Sequence, residues 1–379
     1  MNTSHVLLLG GGTGGHIYPL VAVAASLREA VATVGNSLDL RYYGEPGVYT
    51  EYLQAAGIPI TSVATSRLRR YASALTIVDF FKFFLGFFQA LVRLYFFMPD
   101  VVFSKGGPGV LPIIFAARWY RIPIVIHESD AVPGLTSRVS SRRAKTVEIA
   151  FEAARPYFGA HKQIHLTGMP VRAALLGDLT PAAARAEIGI TSTKPVIFVI
   201  GGSQGAGVLN EFVMTHAESL LTHYTLVHQV GRDNYEQYAK EFAFTTKHYN
   251  QELTKSYFLF SYLTDAQLAA ALRGADVVIS RAGSSIFEIA ASGTPAILVP
   301  LASSANNHQV ENAYAYAAAG AGVVIEEGNL LPGVVGTQIE KMLNDSTHRE
   351  AMIKAARVFY KPNAATEIAH DILTVAGTA

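Results

Sequence analysis

The chain contains no cysteine and has few charged residues. With no cysteine among 379 residues, disulfide bonds and metal sites built on thiolates are excluded, which fits a reducing cytoplasm. Charged residues make up 16% of the chain and the formal net charge is +1, so there is no global basic field to attract nucleic acid. Half of the residues are hydrophobic, which excludes a disordered chain and provides core for two or three domains.

An uninterrupted apolar run of membrane-spanning length is also absent, although residues 75–103 come close. This segment, LTIVDFFKFFLGFFQALVRLYFFMPDVVF, is rich in phenylalanine but is interrupted by Asp79, Lys82, Gln89 and Arg93. A spanning helix needs about 20 predominantly apolar residues. The charges argue against a span and leave two interpretations, a core helix or a helix lying on a membrane surface.

The surface interpretation is favoured by the arginines of SRLRRY, residues 66–71, just before this segment. Arginines meet anionic headgroups while aromatic side chains enter the acyl boundary. We therefore predict a membrane-binding surface formed by Arg67, Arg69, Arg70, Phe80, Phe83, Phe84, Phe87 and Phe88.

Glycine is concentrated in turns, and the first of these is LLLGGGTGGHIYP at residues 7–19. The pattern predicts a buried strand over Val6–Leu9, followed by a helix with Pro19 in its first turn. Glycines at a strand-to-helix turn allow a ligand to approach the backbone, and amides at a helix start attract anions. A bare structural turn is the alternative, but it leaves the titratable His16 unexplained.

The chain then repeats this pattern in the same order. VLLLGGGTGGH at 6–16 is echoed by VIFVIGGSQGA at 196–206, PDVVFSKGGPG at 99–109 by ADVVISRAGSS at 275–285, and RIPIVIHES at 121–129 by GTPAILVPL at 293–301. Alternating strands and helices in two similar halves predict an α/β protein with two Rossmann-like domains. Ligands bind at the carboxyl ends of such strands, so we expect a cleft lined by glycine turns and a linker over 172–195.

Taken together, the motifs resemble the MurG family, bacterial UDP-N-acetylglucosamine transferases of glycosyltransferase family 28. The motifs are GGGTGGHIYP at 10–19, IPIVIHESDAVPGLTSR at 122–138, TGMPVR at 167–172, GGSQGA at 201–206, SRAGSSIFEIAASGTPAILVP at 280–300 and NNHQVENA at 306–313. The resemblance implies the GT-B fold, two Rossmann-like domains facing across a cleft. It implies an acceptor and membrane-binding domain over 1–172, a UDP-GlcNAc-binding domain over 173–357, and a C-terminal helix within 358–379 that packs back on the first domain.

The activity implied by the resemblance is an inverting transfer of GlcNAc from UDP-GlcNAc. The acceptor is the C4 hydroxyl of undecaprenyl-pyrophosphoryl-MurNAc-pentapeptide, so that lipid I becomes lipid II in peptidoglycan synthesis. The implied partners are UDP-GlcNAc, lipid I and an anionic membrane surface at the cytoplasmic face of the plasma membrane. No nucleic acid, metal or other cofactor is expected.

An inverting displacement needs a base for the attacking hydroxyl and stabilisation of the leaving UDP. By resemblance His16 lies at the acceptor end and is a base candidate, because an imidazole titrates in the useful range. Thr13, Gly14 and Gly15 are expected beside it and in contact with the donor. Helix capping or positioning alone is the alternative role for His16.

Asp130 is the second base candidate and is also expected to contact the donor. The family more often has asparagine at this place, in HEQNA, whereas this chain has HESDA. Glu128 would orient either base. Alternatively, His127 and Glu128 are buried supports at the end of a strand.

In the second half the resemblance assigns the diphosphate to Ser203 and Gln204 of GGSQGA, with Ser203 at a helix N-terminus. It assigns the nucleotide to Arg172, for which a surface arginine is the alternative. Glu288 would accept hydrogen bonds from the ribose hydroxyls, since an unpaired acid in apolar surroundings is costly. Its alternative is an ion pair with Arg281.

The remaining donor contacts follow the same resemblance. The main chain of Leu263 would read uracil, and His308 and Gln309 would hydrogen-bond the GlcNAc hydroxyls unless they lie in a solvated loop. Ser284 and Ser285 are expected near the donor, although RAGSS is one residue shorter than the common family loop.

A further departure is SKGGPGVLP, where the family usually has GGYVSGP, and here Lys105 is expected to approach a pyrophosphate. Three rival functions stay open. One is a GT-B glycosyltransferase that acts on another membrane lipid of the diacylglycerol type. The second is a UDP-GlcNAc 2-epimerase, which would not need the aromatic membrane segment. The third is a non-catalytic sensor that binds UDP-sugar.

Overall fold

The computed structural model describes residues 3–65, 74–107, 109–159, 161, 163–202, 204–304 and 307–378. The chain forms two compact units. The first comprises Met1–Val171 together with Lys361–Ala379, and the second comprises Arg172–Tyr360. Each unit contains one parallel sheet with helices, which confirms the predicted α/β class.

The first unit is built on a seven-stranded parallel sheet of order β3-β2-β1-β4-β5-β6-β7. Its strands are β1 (Thr3–Leu9), β2 (Ser37–Tyr43), β3 (Ile60–Thr61), β4 (Val101–Ser104), β5 (Ile124–Glu128), β6 (Thr146–Ile149) and β7 (Ile164–Leu166). The strand β1 is apolar on both faces because helices cover both sides of a doubly wound sheet. Val6 and Leu8 enter one core cluster, and Leu7 and Leu9 enter the other.

Six helices accompany this sheet in the described part of the unit. They are α1 (Gly14–Thr33), α2 (Thr50–Ala55), α3 (Ala74–Phe97), α4 (Leu111–Trp119), α5 (Leu135–Ser141) and, after the second unit, α16 (Ala364–Ala376). The C-terminal helix α16 packs against α1, and its Ile368 and Ile372 are fully buried in the same cluster as Val6.

Helix α1 begins earlier than the sequence predicts. We expected Pro19 in its first turn, but the helix starts at Gly14 and Pro19 lies inside it. The carbonyl of Thr13 accepts from the amides of His16 and Ile17, both at 3.0 Å, and these bonds start the helix. The prediction was wrong because it assigned Gly14 and Gly15 to the turn. Glycine can also adopt helical backbone angles, and both residues belong to the helix.

The second unit is built on a six-stranded parallel sheet of order β10-β9-β8-β11-β12-β13. Its strands are β8 (Val196–Ile200), β9 (Thr225–Gln229), β10 (Tyr257–Phe260), β11 (Val277–Ser280), β12 (Ala296–Leu298) and β13 (Gly322–Val324). Its helices are α6 (Pro181–Glu187), α7 (Gly207–Thr215), α8 (Ala217–His223), α9 (Tyr235–Thr245), α10 (Gln251–Thr254), α11 (Asp265–Gly274), α12 (Ser285–Ser292), α13 (His308–Ala318), α14 (Pro332–Asn344) and α15 (Ser346–Phe359).

Residues 172–195 are not the free linker that their polar composition predicts. They contain α6, which packs against α11 in the second unit. The side chain of Arg185 donates to Asp276 Oδ2 at 2.7 Å and to the carbonyl of Gly274 at 2.8 Å. Arg185 therefore binds other residues of the second unit instead of water. Composition alone cannot distinguish a polar segment that packs in this way from a solvated linker.

The two sheets share one topological feature. In each, the first strand of the unit lies between the second and a later strand, as β2-β1-β4 and as β9-β8-β11. The connections from β1 and β4, and from β8 and β11, therefore leave toward opposite faces, and a crevice opens between them at the carboxyl ends. The predicted pairs of glycine turns follow these strands.

Helix α3 buries one face and exposes another. Ala90 and Leu94 are fully buried in the core, whereas Phe81 and Phe88 are 68% and 60% exposed. The exposed stripe also includes Phe80, Phe84, Leu85, Val92, Tyr95 and Phe96. The helix is thus both a core helix and an apolar surface.

Phe83 and Phe87 were predicted on the membrane surface, but they are partly buried instead. Phe83 packs edge-on against Phe115 at 5.8 Å between ring centroids, and Phe87 packs against the core. On the inward face, Phe87 lies about one turn and Phe83 about two turns before Ala90. Arg67, Arg69 and Arg70 lie outside the described residues. Among the described helices, α3 over Val78–Phe97 is the one long and apolar enough to cross a membrane, and 22% of it is buried.

Candidate active site

The glycine turn of the first unit places His16 in the first turn of α1. The imidazole is partly buried, and its Nδ1 lies 2.9 Å from the hydroxyl of Thr13, the residue that precedes the helix. Burial and the nearby positive charge of Lys105 lower the pKa of His16 to about 4. The ring is therefore neutral at pH 7 and has one nitrogen available to accept a proton.

The turn after β4 lies directly against the turn after β1. A Cβ atom added at Gly107 would lie 2.9 Å from the backbone of Gly11 and 2.9 Å from His16 Cε1. Gly107 also has a φ of +92°, which an L side chain rarely adopts. The two predicted glycine turns of this unit thus form one surface, and glycine is required where they touch.

Lys105 is the buried cation beneath this surface. Its Nζ lies 2.5 Å from His127 Nδ1, 2.7 Å from Ser129 Oγ and 3.5 Å from Met169 Sδ. His127 Nε2 lies 2.7 Å from the carbonyl of Gly168, which can only accept, so Nε2 carries the proton and Nδ1 accepts from Lys105.

Lys105 therefore does not present its ammonium to a pyrophosphate as expected. It is 2% exposed and donates within the unit. Burial lowers the pKa of Lys105, while Glu128 and Asp130 oppose the shift.

Glu128 ends β5 and supports the loop that carries Asp130. Its Oε1 accepts from the amide of Asp130 at 2.9 Å, and the carboxyl is 5% exposed. Burial and the neighbouring Asp130 raise the pKa of Glu128. His127, at 1% exposure, is equally buried. The sequence leaves open whether His127 and Glu128 are buried supports at the end of β5, and the geometry of both side chains matches that role.

The second unit contains a buried ion-pair cluster centred on Arg172. Its Nε and Nη2 donate to the two oxygens of Glu288 at 2.7 and 3.1 Å, and its Nη1 donates to Asp265 Oδ1 at 3.0 Å. Burial opposes the charge of Arg172, but Glu288 and Asp265 raise its pKa above the ordinary value. A bidentate pair of this kind fixes the orientation of the carboxylate.

The structure excludes two alternatives that the sequence left open for this cluster. Arg172 is not a surface side chain, since it is 8% exposed. Glu288 does not pair with Arg281, which instead pairs with Glu327 at 2.6 Å and donates to the carbonyl of Val299. Glu288 is therefore not left unpaired for a ligand, because Arg172 reaches it from the start of the unit.

The glycine turn after β8 is held by amide side chains. Asn234 Nδ2 donates to the carbonyl of Gln204 at 3.1 Å, and Gln229 Nε2 donates to the carbonyl of Gly202 at 3.0 Å. Ser203 lies outside the described residues, and α7 begins at Gly207. The amide of Leu263 donates to Gln229 Oε1 at 3.0 Å, so one side chain links the glycine turn to the segment predicted to read uracil.

The other predicted donor contacts lie at two helix starts. Ser284 precedes α12, and Ser285 Oγ lies 3.3 Å from Ser280 Oγ. His308 and Gln309 form the first turn of α13 instead of a solvated loop, and Gln309 Oε1 accepts from the amide of Leu301 at 3.1 Å.

Sequence reasoning missed Asp265 and Gln229. Asp265 opens α11 directly after Thr264, whose side chain and that of Gln267 form a capping box. The T-x-x-Q spacing is visible in FSYLTDAQ and marks a helix start. It could therefore have placed Asp265 in the first turn of a helix that follows β10. Gln229, at the end of β9, carries no such local signal.

Comparison with known proteins agrees with the motifs. Residues 6–149 match the glycosyltransferase family 28 N-terminal domain, and residues 196–372 match the family 28 C-terminal domain. A protein of Desulforudis audaxviator is 34% identical over 379 residues, covering 98% of both chains. One of Legionella pneumophila strain Paris is 32% identical over 356 residues, covering 93% of both. Both are named UDP-N-acetylglucosamine–N-acetylmuramyl-(pentapeptide) pyrophosphoryl-undecaprenol N-acetylglucosamine transferase.

This chain is also similar to solved structures. Acinetobacter baumannii MurG superposes with a TM-score of 0.71 at 27% identity, covering 98% of this chain and 99% of that one. A Staphylococcus aureus MnaA–UDP structure has a TM-score of 0.70 at 12% identity, which shows a shared fold alone. The chain belongs to the MurG family of family 28 glycosyltransferases, and its two Rossmann-like units have the GT-B fold.

Proposed function

We propose that this protein transfers GlcNAc from UDP-GlcNAc to the C4 hydroxyl of the MurNAc residue of lipid I, with inversion at the anomeric carbon. The observation that carries the proposal is the neutral, partly buried His16 at the glycine turn, in a chain that matches named transferases over 98% of its length. A neutral imidazole has a nitrogen lone pair that can accept the proton of the attacking hydroxyl.

The donor half of the reaction uses the Arg172 cluster. Glu288 is held by Arg172 with both oxygens engaged, and each carboxylate oxygen has a further lone pair that can accept from a ribose hydroxyl. The glycine turn at 201–206 precedes α7, so its amides and the helix N-terminus suit the diphosphate. We assign uracil to the main chain at Leu263, the diphosphate to Ser203 and Gln204, and the sugar to His308 and Gln309, near Ser284 and Ser285.

The acceptor half requires one tautomer of His16. If Nδ1 carries the proton and donates to Thr13, then Nε2 has the lone pair and accepts the proton of the C4 hydroxyl. As the C4 oxygen attacks the anomeric carbon, the bond to the UDP oxygen breaks and UDP leaves. Gly14 is buried, and a Cβ atom there would lie 2.9 Å from the ring of Tyr18 and 3.0 Å from the hydroxyl of Tyr49, so this glycine is required by packing. Asp130, on the loop held by Glu128, is the competing base.

No metal is needed in this scheme, because backbone amides and the N-terminus of α7 supply the positive potential that the leaving UDP requires. We therefore propose that transfer proceeds without a divalent cation or another cofactor. Activity in the presence of excess EDTA tests this directly.

We also propose that the exposed stripe of α3 binds an anionic membrane, so that the enzyme is peripheral at the cytoplasmic face of the plasma membrane. The other face of α3 packs in the core, so the helix cannot leave the unit to span a bilayer. Its exposed apolar stripe can instead lie in the membrane–water interface. The three upstream arginines would add attraction to anionic headgroups. The net charge of +1 gives no reason to propose a nucleic-acid partner.

The experiment that tests the function is UDP release from UDP-GlcNAc with a lipid I analogue, with diacylglycerol and with no acceptor. Release with lipid I alone supports the proposal, with the disaccharide product identified by mass spectrometry. Release with diacylglycerol alone would assign the protein to glycolipid synthesis. Tight UDP-GlcNAc binding without release under any condition would identify a sensor.

Substitution Glu288→Gln is expected to weaken donor binding. Loss of charge-assisted hydrogen bonds to the ribose costs about 1.5–3 kcal/mol, which corresponds to an increase in the KM for UDP-GlcNAc of roughly 10- to 100-fold. The matched control is Glu327→Gln, which breaks the Arg281 ion pair of the same unit. An unchanged KM in E288Q, or an equal change in E327Q, would contradict the ribose role.

Substitution His16→Ala is expected to lower kcat by roughly 10²- to 10⁴-fold, the usual contribution of a general base, with UDP-GlcNAc binding retained. Because the pKa of His16 is about 4, the base stays neutral down to that pH. The acid limb of kcat/KM should therefore fall near pH 4 instead of near 6.5, since the rate is lost as the ring gains a proton.

The comparison variant for the base is Asp130→Asn. If H16A keeps the full rate while D130N is inactive, the base is Asp130 and not His16. A calorimetric titration with UDP-GlcNAc shows whether either variant has lost the donor site instead.

Removing the exposed phenylalanines should release the enzyme from membranes. The triple substitution Phe81→Ser, Phe84→Ser and Phe88→Ser removes apolar area from the outer stripe, and we expect partitioning to anionic vesicles to fall about tenfold or more. Phe244→Ser, at an equally exposed phenylalanine of the second unit, is the control. Sedimentation with phosphatidylglycerol vesicles measures the effect, and wild-type binding by the triple variant would contradict the assignment.

A further inference from the structure

Two acids and a histidine converge at the far edge of the first sheet. Glu148 on β6 pairs in register with His165 on the edge strand β7, and Asp371 reaches them from α16. His165 Nδ1 lies 2.6 Å from Asp371 Oδ2 and 3.5 Å from Glu148 Oε1. One ligand atom from each residue lies within 4.8 Å of the other two.

Glu148 is the unusual member of this cluster. It is fully buried, and among the described residues neither of its oxygens has a hydrogen-bond partner. The hydroxyl of the buried Thr167, the residue that follows β7, is also without a partner there.

The cluster contains two acids and one base. In the described part of the chain, the ion pairs of Glu148 and Asp371 are both with His165. One imidazolium can balance one carboxylate, so the second carboxyl requires either a proton or a further cation. Buried charges are normally paired or coordinate metals, because the cost of desolvation is otherwise too high.

The cluster is also open to solutes from one side. His165 and Asp371 line a cavity of about 510 Å³, which Thr167, Glu367 and His370 also line. An ion can enter through this cavity, and water can complete its coordination. Glu367 and His370 lie on the same helix as Asp371 and provide further oxygen and nitrogen donors.

We propose that Glu148, His165 and Asp371 form a binding site for a divalent transition-metal ion, Zn²⁺ or Mn²⁺. Imidazole and carboxylate are the ligands these ions prefer, with metal–ligand distances near 2.0–2.2 Å. Ligand atoms around a tetrahedral ion are then about 3.3 Å apart, close to the 3.5 Å between His165 Nδ1 and Glu148 Oε1, and the ion would replace the 2.6 Å hydrogen bond between His165 Nδ1 and Asp371 Oδ2.

The bound ion would be structural. Its ligands come from β6, β7 and α16, so it ties the C-terminal helix to the edge of the first sheet. The site uses none of the residues assigned to donor or acceptor and does not depend on the proposed transfer reaction.

The test is metal binding by the tag-free, metal-depleted full chain. Calorimetric titration with ZnCl₂ and with MnCl₂ should show one equivalent bound by at least one of these ions. The variants E148Q and D371N should bind it at least tenfold more weakly. The control E152Q removes an exposed carboxylate of the same unit and should bind like the wild type.

Two further measurements guard against misfolded variants. His165→Gln changes a side chain that is 45% exposed and should also lose the site. Co²⁺ should give a visible absorption band with the wild type that H165Q lacks, because the chain has no thiolate to supply another site. No stoichiometric binding by the wild type, or wild-type affinity in both E148Q and H165Q, would overturn the proposal in favour of a proton shared between the two carboxyls.

Discussion

The reversal of strand order beside the first strand of each sheet is the constraint on which both candidate sites depend. It directs the connections that follow β1 and β4, and likewise those that follow β8 and β11, toward opposite faces of the sheet. Turns at the carboxyl ends pack closely, and some of their positions have no room for a Cβ atom. In the first unit Gly107, after β4, faces Gly11 and His16, after β1. In the second unit the close approach is between the turns after β8 and β9, where a Cβ at Gly205 would lie 1.9 Å from the carbonyl of Val230. The repeated glycine turns are therefore a packing requirement before they are a ligand-binding feature.

Each unit contains a buried basic side chain that binds other side chains of the unit. In the first unit Lys105 is held by His127 and Ser129, and its charge helps to keep His16 neutral. In the second unit Arg172 takes a different role, since its guanidinium fixes the orientation of Glu288 and Asp265. The proposed acceptor site requires a neutral base, and the proposed donor site requires a carboxylate of fixed orientation. The two units of the duplicated fold meet these requirements with different basic side chains, Lys105 and Arg172.

The sequence predicted what depends on local pattern. Strand and helix periodicity, the duplicated motifs and the glycine turns led to the α/β class and the family, because each is encoded within about ten residues. It did not predict the partner of Glu288, since Arg172 lies 116 positions away and only the fold brings them together. Lys105 was misjudged for the same reason. For Phe83 and Phe87, composition marked the helix as apolar, but the packing of Phe115 and the core decides which face is inward.

The central claim is that the two glycine turns of the first unit form the surface that receives the acceptor. The most direct measurement is the kcat/KM for a lipid I analogue in Gly107→Ala, with the UDP-GlcNAc dissociation constant measured alongside. Gly336→Ala, where a Cβ meets no atom within 4 Å, is the control. The account predicts a loss of about 100-fold or more in kcat/KM, the size of effect that a misplacement of about 1 Å produces, with donor affinity unchanged. A folded G107A enzyme with wild-type kcat/KM for lipid I would contradict it.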